Sequence, residues 1–171
     1  IKKKLHLILC IRLMDLDCRH SLFARGNEFL GTTYPIMGGA MTWLSERNLV
    51  SAISNAGGFG IIACGSMQSE QLGEEIEATQ KMTNKPFGVN LILLHPDIDD
   101  LIECCISKKV ELVVFAGGFP KKRQIELLKS KGIKTMCFAT TLSIAKKMIL
   151  YGIDSLVLEG SEAGGHIGPV S

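Results

Sequence analysis

The chain has 171 residues, of which 46% are hydrophobic and 21% charged, and its formal net charge at pH 7 is +2. This composition is typical of a globular domain with a hydrophobic core, and it excludes a disordered chain. The basic residues are scattered among acidic ones, so the charge pattern predicts no nucleic-acid partner.

Residues 1–24 begin with three lysines near the start, followed by a short apolar run. His6 and Arg12 interrupt this run, no small-residue cleavage site follows it, and it is too short to cross a bilayer. We therefore predict no signal peptide and no membrane partner. Residues 1–24 are treated as a segment of uncertain structure that precedes a domain over residues 25–171.

From Tyr34 onward, short apolar runs alternate with longer segments of helical periodicity. The pattern predicts strands at 34–37, 59–63, 86–93, 112–116, 134–138 and 155–159, and helices at 45–56, 69–83, 98–109, 122–131 and 141–151. Nearly continuous apolar runs are typical of strands buried on both faces of a parallel sheet. The fold class is therefore α/β, and both an open doubly wound sheet and a closed barrel fit the alternation.

The predicted helices carry sequence signals at both ends. Ser45 and Ser69 are predicted N-caps, because a serine hydroxyl can accept a hydrogen bond from the first free backbone N–H groups. Gly57, Gly132 and Gly152 are predicted to end three helices, since the residue after a helix often needs a positive φ.

Small residues follow the predicted strands at the end where parallel α/β folds bind ligands. They occupy 38–40, 65–66, 117–118 and 160–165. Because glycine lets a planar ligand approach the backbone closely, these positions together predict one shared ligand pocket.

Six cysteines stand at positions 10, 18, 64, 104, 105 and 137, with no C-x-x-C pair and no histidine at metal-ligand spacing. This pattern predicts neither a metal site nor a disulfide framework, and it favours a reducing, cytoplasmic location. Cys104 and Cys105 lie in an amphipathic helical segment, where cysteine usually serves as a small buried hydrophobe.

His166 is the candidate catalytic residue. Glycines surround it in the sequence, and Glu159 and Glu162 are near enough to orient its ring or raise its pKa. A histidine that titrates near neutrality at a pocket is suited to accept a proton. Its spacing alone fits a solvent-exposed loop histidine equally well.

Four stretches, YPIMGGAMTWLS, SNAGGFGIIACGSM, NKPFGVNLIL and LEGSEAGGHIGPVS, together resemble the nitronate monooxygenase family, formerly called 2-nitropropane dioxygenases. The related flavin-dependent enoyl-acyl-carrier-protein reductases share these motifs. The likeness runs from residue 26 to the end of the chain. It implies a (β/α)8 barrel of the TIM type that binds FMN at its carboxyl-terminal face.

The resemblance also assigns roles to residues. The cofactor-binding residues that it implies are Gly39, Ala40, Met41, Asn90, Glu159, Gly164 and Gly165. The loop of residues 39–41 would lie against the isoalloxazine, and Asn90 would form a hydrogen bond to it. His166 would be the catalytic base or the residue that positions the substrate. Gly38 departs from the family pattern, since many relatives have a glutamine there.

The implied reaction is the oxidation of a nitronate by O₂ through the flavin, giving a carbonyl compound and nitrite. An enoyl reductase, which passes hydride from a nicotinamide cofactor through FMN to an enoyl thioester, is the alternative enzyme. An inactive remnant or interaction module without flavin is the third hypothesis.

The predicted elements amount to about six strands and five helices, fewer than the eight units of a complete barrel. We therefore expect an incomplete barrel, which lacks the loops after strands seven and eight that usually bind phosphate, and we expect a truncated or interrupted gene product. Its first and last strands would be open edges. Whether a second copy covers them in a homo-oligomer is left open.

Overall fold

The structure is a computed structural model that describes residues 22–164. Its first element, α1, covers 22–30 and is not among the predicted elements. The strands are β1 (Gly60–Ala63), β2 (Phe87–Ile92), β3 (Leu112–Ala116), β4 (Lys134–Ala139) and β5 (Ser155–Leu158). The further helices are α2 (Arg47–Asn55), α3 (Ser69–Met82), α4 (Ile98–Ser107), α5 (Lys122–Ser130) and α6 (Leu142–Leu150). No helix within 22–164 is long and apolar enough to cross a membrane.

The order of the strands decides between the two architectures that the sequence left open. All five strands are parallel, and they lie side by side in the order β1-β2-β3-β4-β5. This order contains no reversal, whereas a doubly wound sheet reverses at its switch point. Because β-α-β crossovers are right-handed, an unreversed order places the connecting helices on one face of the sheet. The fold is therefore of the (β/α) barrel type, and the barrel is incomplete over the described residues.

The predicted strand at 34–37 forms only a single bridge, between Met37 and Phe59. The expectation of about six strands is therefore corrected to five strands and a bridge. The backbone N–H of Tyr34 still donates to the carbonyl of Gly57, at 2.9 Å. Gly57 itself has φ +93, the left-handed conformation in which the chain leaves α2, so the partner segment is not extended beside Tyr34.

The two faces of the sheet belong to two hydrophobic clusters, because successive side chains of a strand point to opposite faces. The helix-side cluster contains strand residues such as Val89, Val113 and Phe115, together with residues of α2 to α6. The other cluster is formed by buried residues of the opposite face, Phe59, Ile61, Leu112, Val114 and Met136, joined by Leu30 of α1. This second cluster is the interior of the incomplete barrel.

Helix α1 lies at the amino-terminal end of the sheet. The Lys134 ammonium, at the first residue of β4, donates to the carbonyl of Phe29. Gly31 lies against Pro86, the residue before β2. A Cβ added at Gly31 would be 3.6 Å from Pro86 Cγ. Since Leu30 also joins the barrel interior, α1 covers the amino-terminal end of the barrel, and the opposite end carries the loops.

The N-caps of α2 and α3 each lie one residue away from the predicted caps. Glu46, and not Ser45, is the N-cap of α2, because its carboxylate accepts from the first backbone N–H groups of that helix. Gln68, and not Ser69, is the N-cap of α3, and its N–H donates to the side chain of Gln71 at 3.1 Å. The cap thus lies one position later than predicted at α2 and one position earlier at α3, and a Glu or Gln side chain takes part in both caps.

The predicted helix stops are confirmed. Gly57, Gly132 and Gly152 have φ values of +93, +78 and +88. Residues with a Cβ rarely adopt this conformation, whereas glycine adopts it without steric cost. The local sequence therefore determines where α2, α5 and α6 end.

Gly60 marks the closest approach of β1 to α2, and it yields a test of the packing. A methyl group on its Cα would overlap the carbonyl oxygen of Val50 and lie 2.8 Å from Val50 Cγ1. We expect Gly60→Ala to lower the free energy of unfolding by about 1–3 kcal/mol, because a backbone atom cannot move aside as a side chain can. Urea denaturation measures the change.

Gly73→Ala in α3 is the matched control. Its new Cβ would meet only the flexible end of Lys108 at 3.4 Å and Cys104 Sγ at 3.6 Å. Alanine in a helix interior is more stable than glycine by about 0.5–1 kcal/mol, so this variant should be neutral or stabilised. Equal stability of both variants would contradict the packing argument.

Candidate active site

The loops that follow the strands meet at one end of the sheet, here called the carboxyl rim. It comprises the loops 38–46, 64–68, 93–97, 117–121, 140–141 and 159–164. Neighbouring loops are joined by backbone hydrogen bonds: Ala63 N donates to Ser45 O at 3.0 Å, and Leu93 N donates to Ala116 O at 2.9 Å. Motifs that lie far apart in the sequence are therefore brought together at the rim.

The glycines of the rim are explained by different local causes. Gly117 and Gly118 have φ values of +69 and +147, so the turn after β3 itself requires glycine. A Cβ at Gly65 would lie 3.0 Å from Ile92 Cγ1, whereas a Cβ at Gly39 would meet no described atom within 4 Å. Open space is therefore found beside Gly39, and likewise beside Gly164, whereas turn geometry or packing accounts for Gly65, Gly117 and Gly118.

Ser45 holds the loop that contains Gly39, Ala40 and Met41. Its buried hydroxyl accepts a hydrogen bond from Met41 N and donates one to Gly39 O, both at 2.9 Å. The side chains of Ala40 and Met41 are exposed. Sequence reasoning treated Ser45 as a helix cap and missed this role, since the two functions share one residue type and one position before a helix.

Asn90 places a polar side chain in the apolar interior of the barrel. It pairs in register with Ala63 of β1 and Val114 of β3, and Val114 belongs to the interior cluster. The residue is only 7% exposed, and its carboxamide makes no hydrogen bond to another residue between 22 and 164. Between 22 and 164 only Asn27 Oδ1 is both fully buried and without a hydrogen-bond partner. The carboxamide of Asn90 is therefore a polar group in an apolar interior that does not form a fully buried, unsatisfied site, and its donors and acceptor can bind a ligand.

The remaining predicted site residues follow β5. Glu159 is half-buried directly after the strand, and Gly164 is exposed near the end of the described range. Gly165 and His166 lie outside the described residues. His95, on the loop after β2, is half-buried, and its Nδ1 accepts from Asp97 N at 3.1 Å.

The cysteines near the rim are neutral thiols. Burial raises the pKa of Cys64 to about 12, and its Sγ donates to the carbonyl of Asn90 at 3.0 Å. Burial also raises the pKa of Cys105 well above its usual value, and that of the half-buried Cys104. Since the thiolate is the nucleophile, these residues serve packing, as the sequence predicted for Cys104 and Cys105.

Comparison with known proteins agrees with this arrangement. The family model for nitronate monooxygenase matches residues 24–105 and 99–171. FabK from Thermotoga maritima superposes with a TM-score of 0.82 at 40% identity, covering 86% of this chain and 47% of FabK. A nitroalkane oxidase from Streptomyces ansochromogenes superposes with a TM-score of 0.75 at 25% identity, covering 80% of this chain and 49% of the oxidase.

Two curated relatives are similar in sequence. A 5-hydroxy-7a-methyl-1-oxo-octahydro-1H-indene-4-carboxyl-CoA dehydrogenase from Mycobacterium tuberculosis is 35% identical over 144 residues, which is 84% of this chain and 40% of the relative. A probable nitronate monooxygenase from Staphylococcus saprophyticus is 31% identical in an alignment that covers 88% of this chain and 52% of the relative. The chain thus spans about half the length of the curated relatives that it matches.

The chain shares its (β/α) barrel architecture with these matched proteins, whose names define an oxidoreductase class. Within that class, the chain belongs to the nitronate monooxygenase family.

The protonation state of Cys64 gives a testable consequence. We expect Cys64 in the native protein to resist iodoacetamide at pH 8 and to react once urea unfolds the chain, because its pKa of about 12 leaves almost no thiolate. Mass spectrometry of the alkylated peptides measures the labelling of Cys64 in the native and in the unfolded protein. An unfolded thiol ionises at about pH 8.5, so the free energy of unfolding should fall as the pH rises from there towards 12. Native labelling of Cys64 as fast as that of a free thiol would contradict the assignment.

Proposed function

We propose that residues 25–171 are part of an FMN-dependent nitronate monooxygenase, which oxidises a nitronate with O₂ to a carbonyl compound and nitrite. The observation that carries this proposal is the carboxamide of Asn90, which lies in the apolar barrel interior and makes no hydrogen bond to residues 22–164, in a chain that belongs to this family. The amide needs a polar partner, and a flavin ring edge offers donors and acceptors of matching kind.

The residues of the rim fit a flavin in shape. The open space at Gly39 would admit the flat isoalloxazine, with Ala40 and Met41 exposed beside it. FMN, when bound, supplies the electron chemistry of the reaction, and the protein supplies binding, orientation and electrostatics. Glu159, Gly164 and Gly165 complete the proposed cofactor-binding set.

His166 is proposed as the catalytic base or as the residue that positions the nitronate. This role rests on the motif E-A-G-G-H-x-G at 162–168, which matches the family pattern. The half-buried Glu159 lies directly after β5, on the same strand-end segment as the motif, and a carboxylate close to an imidazole raises its pKa. A histidine pKa near the working pH is the condition for efficient proton transfer.

A flavin-dependent enoyl reductase is the second candidate. The observation that favours it is the 40% identity with FabK, a flavin-dependent enoyl-acyl-carrier-protein reductase, against 25% identity with the nitroalkane oxidase. The two activities differ in their assays: nitrite release from a nitronate identifies the monooxygenase, and NADH oxidation that depends on an enoyl thioester identifies the reductase.

The proposed partner is a small-molecule substrate, without nucleic acid or membrane. The proposed location is the cytoplasm, where thiols remain reduced, because Cys64, Cys104, Cys105 and Cys137 are free thiols and three of them are buried. A purified protein that stays colourless after reconstitution with FMN would contradict the flavoprotein proposal.

Asn90→Leu distinguishes the effect of the Asn90 amide on the stability of the fold from its effect on the affinity for FMN. Without cofactor, we expect the variant to be as stable as the wild type or more stable by about 1 kcal/mol, because an unpartnered polar group is replaced by an apolar one of similar size. We expect its affinity for FMN to fall about tenfold through the lost hydrogen bond. Urea denaturation and quenching of FMN fluorescence measure the two effects.

The control for this prediction is Asn84→Leu, the same chemical change at an exposed position between α3 and β2. Its FMN affinity should equal that of the wild type. Unchanged FMN affinity in Asn90→Leu would remove Asn90 from the cofactor site.

His166→Ala tests the proposed base. We expect the variant to retain bound flavin, seen in its visible absorbance, and to lose about 10²- to 10⁴-fold in turnover, since a positioned proton acceptor contributes rate enhancement of that order. His95→Ala is the matched control, because the imidazole of His95 accepts a hydrogen bond within its own loop. Wild-type turnover in His166→Ala would show that another group accepts the proton.

A further inference from the structure

Trp43 has an unusual backbone conformation on the carboxyl rim. Its φ is +70, and Lys109 is the only other non-glycine residue with a positive φ between 22 and 164. The left-handed region is uncommon for any residue with a Cβ, and it is disfavoured for a bulky aromatic one. The fold therefore keeps Trp43 in a conformation that a glycine or asparagine would adopt more readily.

The strained residue lies in a firmly held loop. Leu44 N and Ser45 N both donate to Met41 O, at 3.0 and 2.8 Å, so hydrogen bonds close the turn around Trp43. The Ser45 hydroxyl ties the same turn to Gly39 O at 2.9 Å. Such over-determined strain is typical of residues whose position serves a function.

The indole of Trp43 is left in water. It is 83% exposed, although tryptophan carries the largest apolar surface of any side chain. Its loop neighbours Met41 and Leu44 are exposed as well. Neither packing nor hydrogen bonding within the described residues accounts for a rigidly held, exposed indole at this position.

We propose that Trp43 is a specificity-determining residue, which binds the apolar substituent of the substrate beside the cofactor site. This inference rests on the proposed function and adds a substrate class to it: nitronates whose carbon bears a long alkyl or ring substituent. Trp43 stands two residues after Met41 on the loop that contains the open space at Gly39. A substrate whose nitronate group lies at the flavin would extend its substituent along this loop.

The part of the rim around Trp43 agrees with an apolar occupant. Residues 38–45 (GGAMTWLS) and 117–120 (GGFP) contain no charged residue, and the charged residues of the rim lie outside these two segments, at Glu46, Asp97, Lys121, Glu159 and Glu162. The second loop presents Phe119, which is also exposed. Apolar surface without charge favours a hydrocarbon group over a phosphate or carboxylate, because a charged group would leave water without a compensating partner.

Steady-state kinetics of the FMN-loaded protein with the nitronates of nitroethane and 1-nitrohexane test the proposal. We expect Trp43→Asn to lower kcat/KM for the hexyl substrate by about tenfold and for the ethyl substrate by less than about twofold, since apolar contacts discriminate by substituent size. Asparagine tolerates the left-handed conformation, so the loop keeps its fold. Trp43→Phe keeps an apolar ring and should retain most of the discrimination.

Leu150→Ala is the control for loss of exposed apolar surface. Leu150 is 81% exposed, nearly as much as Trp43, but it lies on the outer helix α6. This variant should show wild-type kcat/KM with both nitronates. An equal loss for both substrates in Trp43→Asn would overturn the proposal, because it would mean that the indole supports the loop or the cofactor and not the substituent.

Fluorescence gives a readout that does not depend on turnover. Trp43 is the single tryptophan of the chain, and the difference between wild-type and Trp43→Phe spectra isolates its emission. Hexanoate, an unreactive carboxylate analogue of the hexyl nitronate, should change this emission in a saturable way, with and without FMN, whereas acetate should not. No effect of hexanoate would overturn the proposal. A wild type that binds hexanoate at Trp43 but oxidises no nitronate would refute the proposed function, and with it the nitronate substrate class, and would leave only the binding of an apolar substituent at Trp43 standing.

Discussion

Parallel pairing of strands that are buried on both faces is the constraint on which the rest of this structure depends. The strands follow one another in space as they do in the chain, so right-handed crossovers place the helices on one face. The other face becomes the barrel interior, closed at its amino-terminal end by α1 through Leu30 and Phe29. All carboxyl ends then lie at the same rim, where the loops are free to carry chemistry.

The interior of this barrel is apolar except where a ligand is proposed to bind. Asn90 lies between Ala63 and Val114 in the register of the sheet, where an apolar residue would stabilise the fold more. The thiol of Cys64 on the neighbouring strand end is kept neutral by burial, which raises its pKa to about 12. The described part of the rim therefore offers shape, an amide and apolar surface, and the proposed cofactor supplies the reactivity.

Stability and ligand binding make different demands on neighbouring residues of the first rim loop. Ser45 satisfies the backbone at Gly39 and Met41, so the loop is ordered without any ligand. The same turn holds Trp43 in a strained conformation with its indole in water. Neither the strain nor the exposed indole stabilises the fold. Such a contrast between a satisfied scaffold and an unsatisfied side chain is expected where a protein has been shaped by what it binds.

The sequence alone determined the elements, because helix periodicity, continuous apolar runs and glycine stops are local properties. The five strands and five of the helices lie where these patterns predicted, and Gly57, Gly132 and Gly152 end their helices with positive φ. The motifs also identified the family correctly. Only the tertiary structure decided between a barrel and a doubly wound sheet, since strand order depends on contacts between segments far apart in the chain. It likewise decided that Asn90 lies in the barrel interior without a hydrogen bond to residues 22–164, that Ser45 holds a loop and not a helix end, and that Gly39 has open space beside it. These properties depend on which atoms surround a residue, and the local sequence does not contain that information.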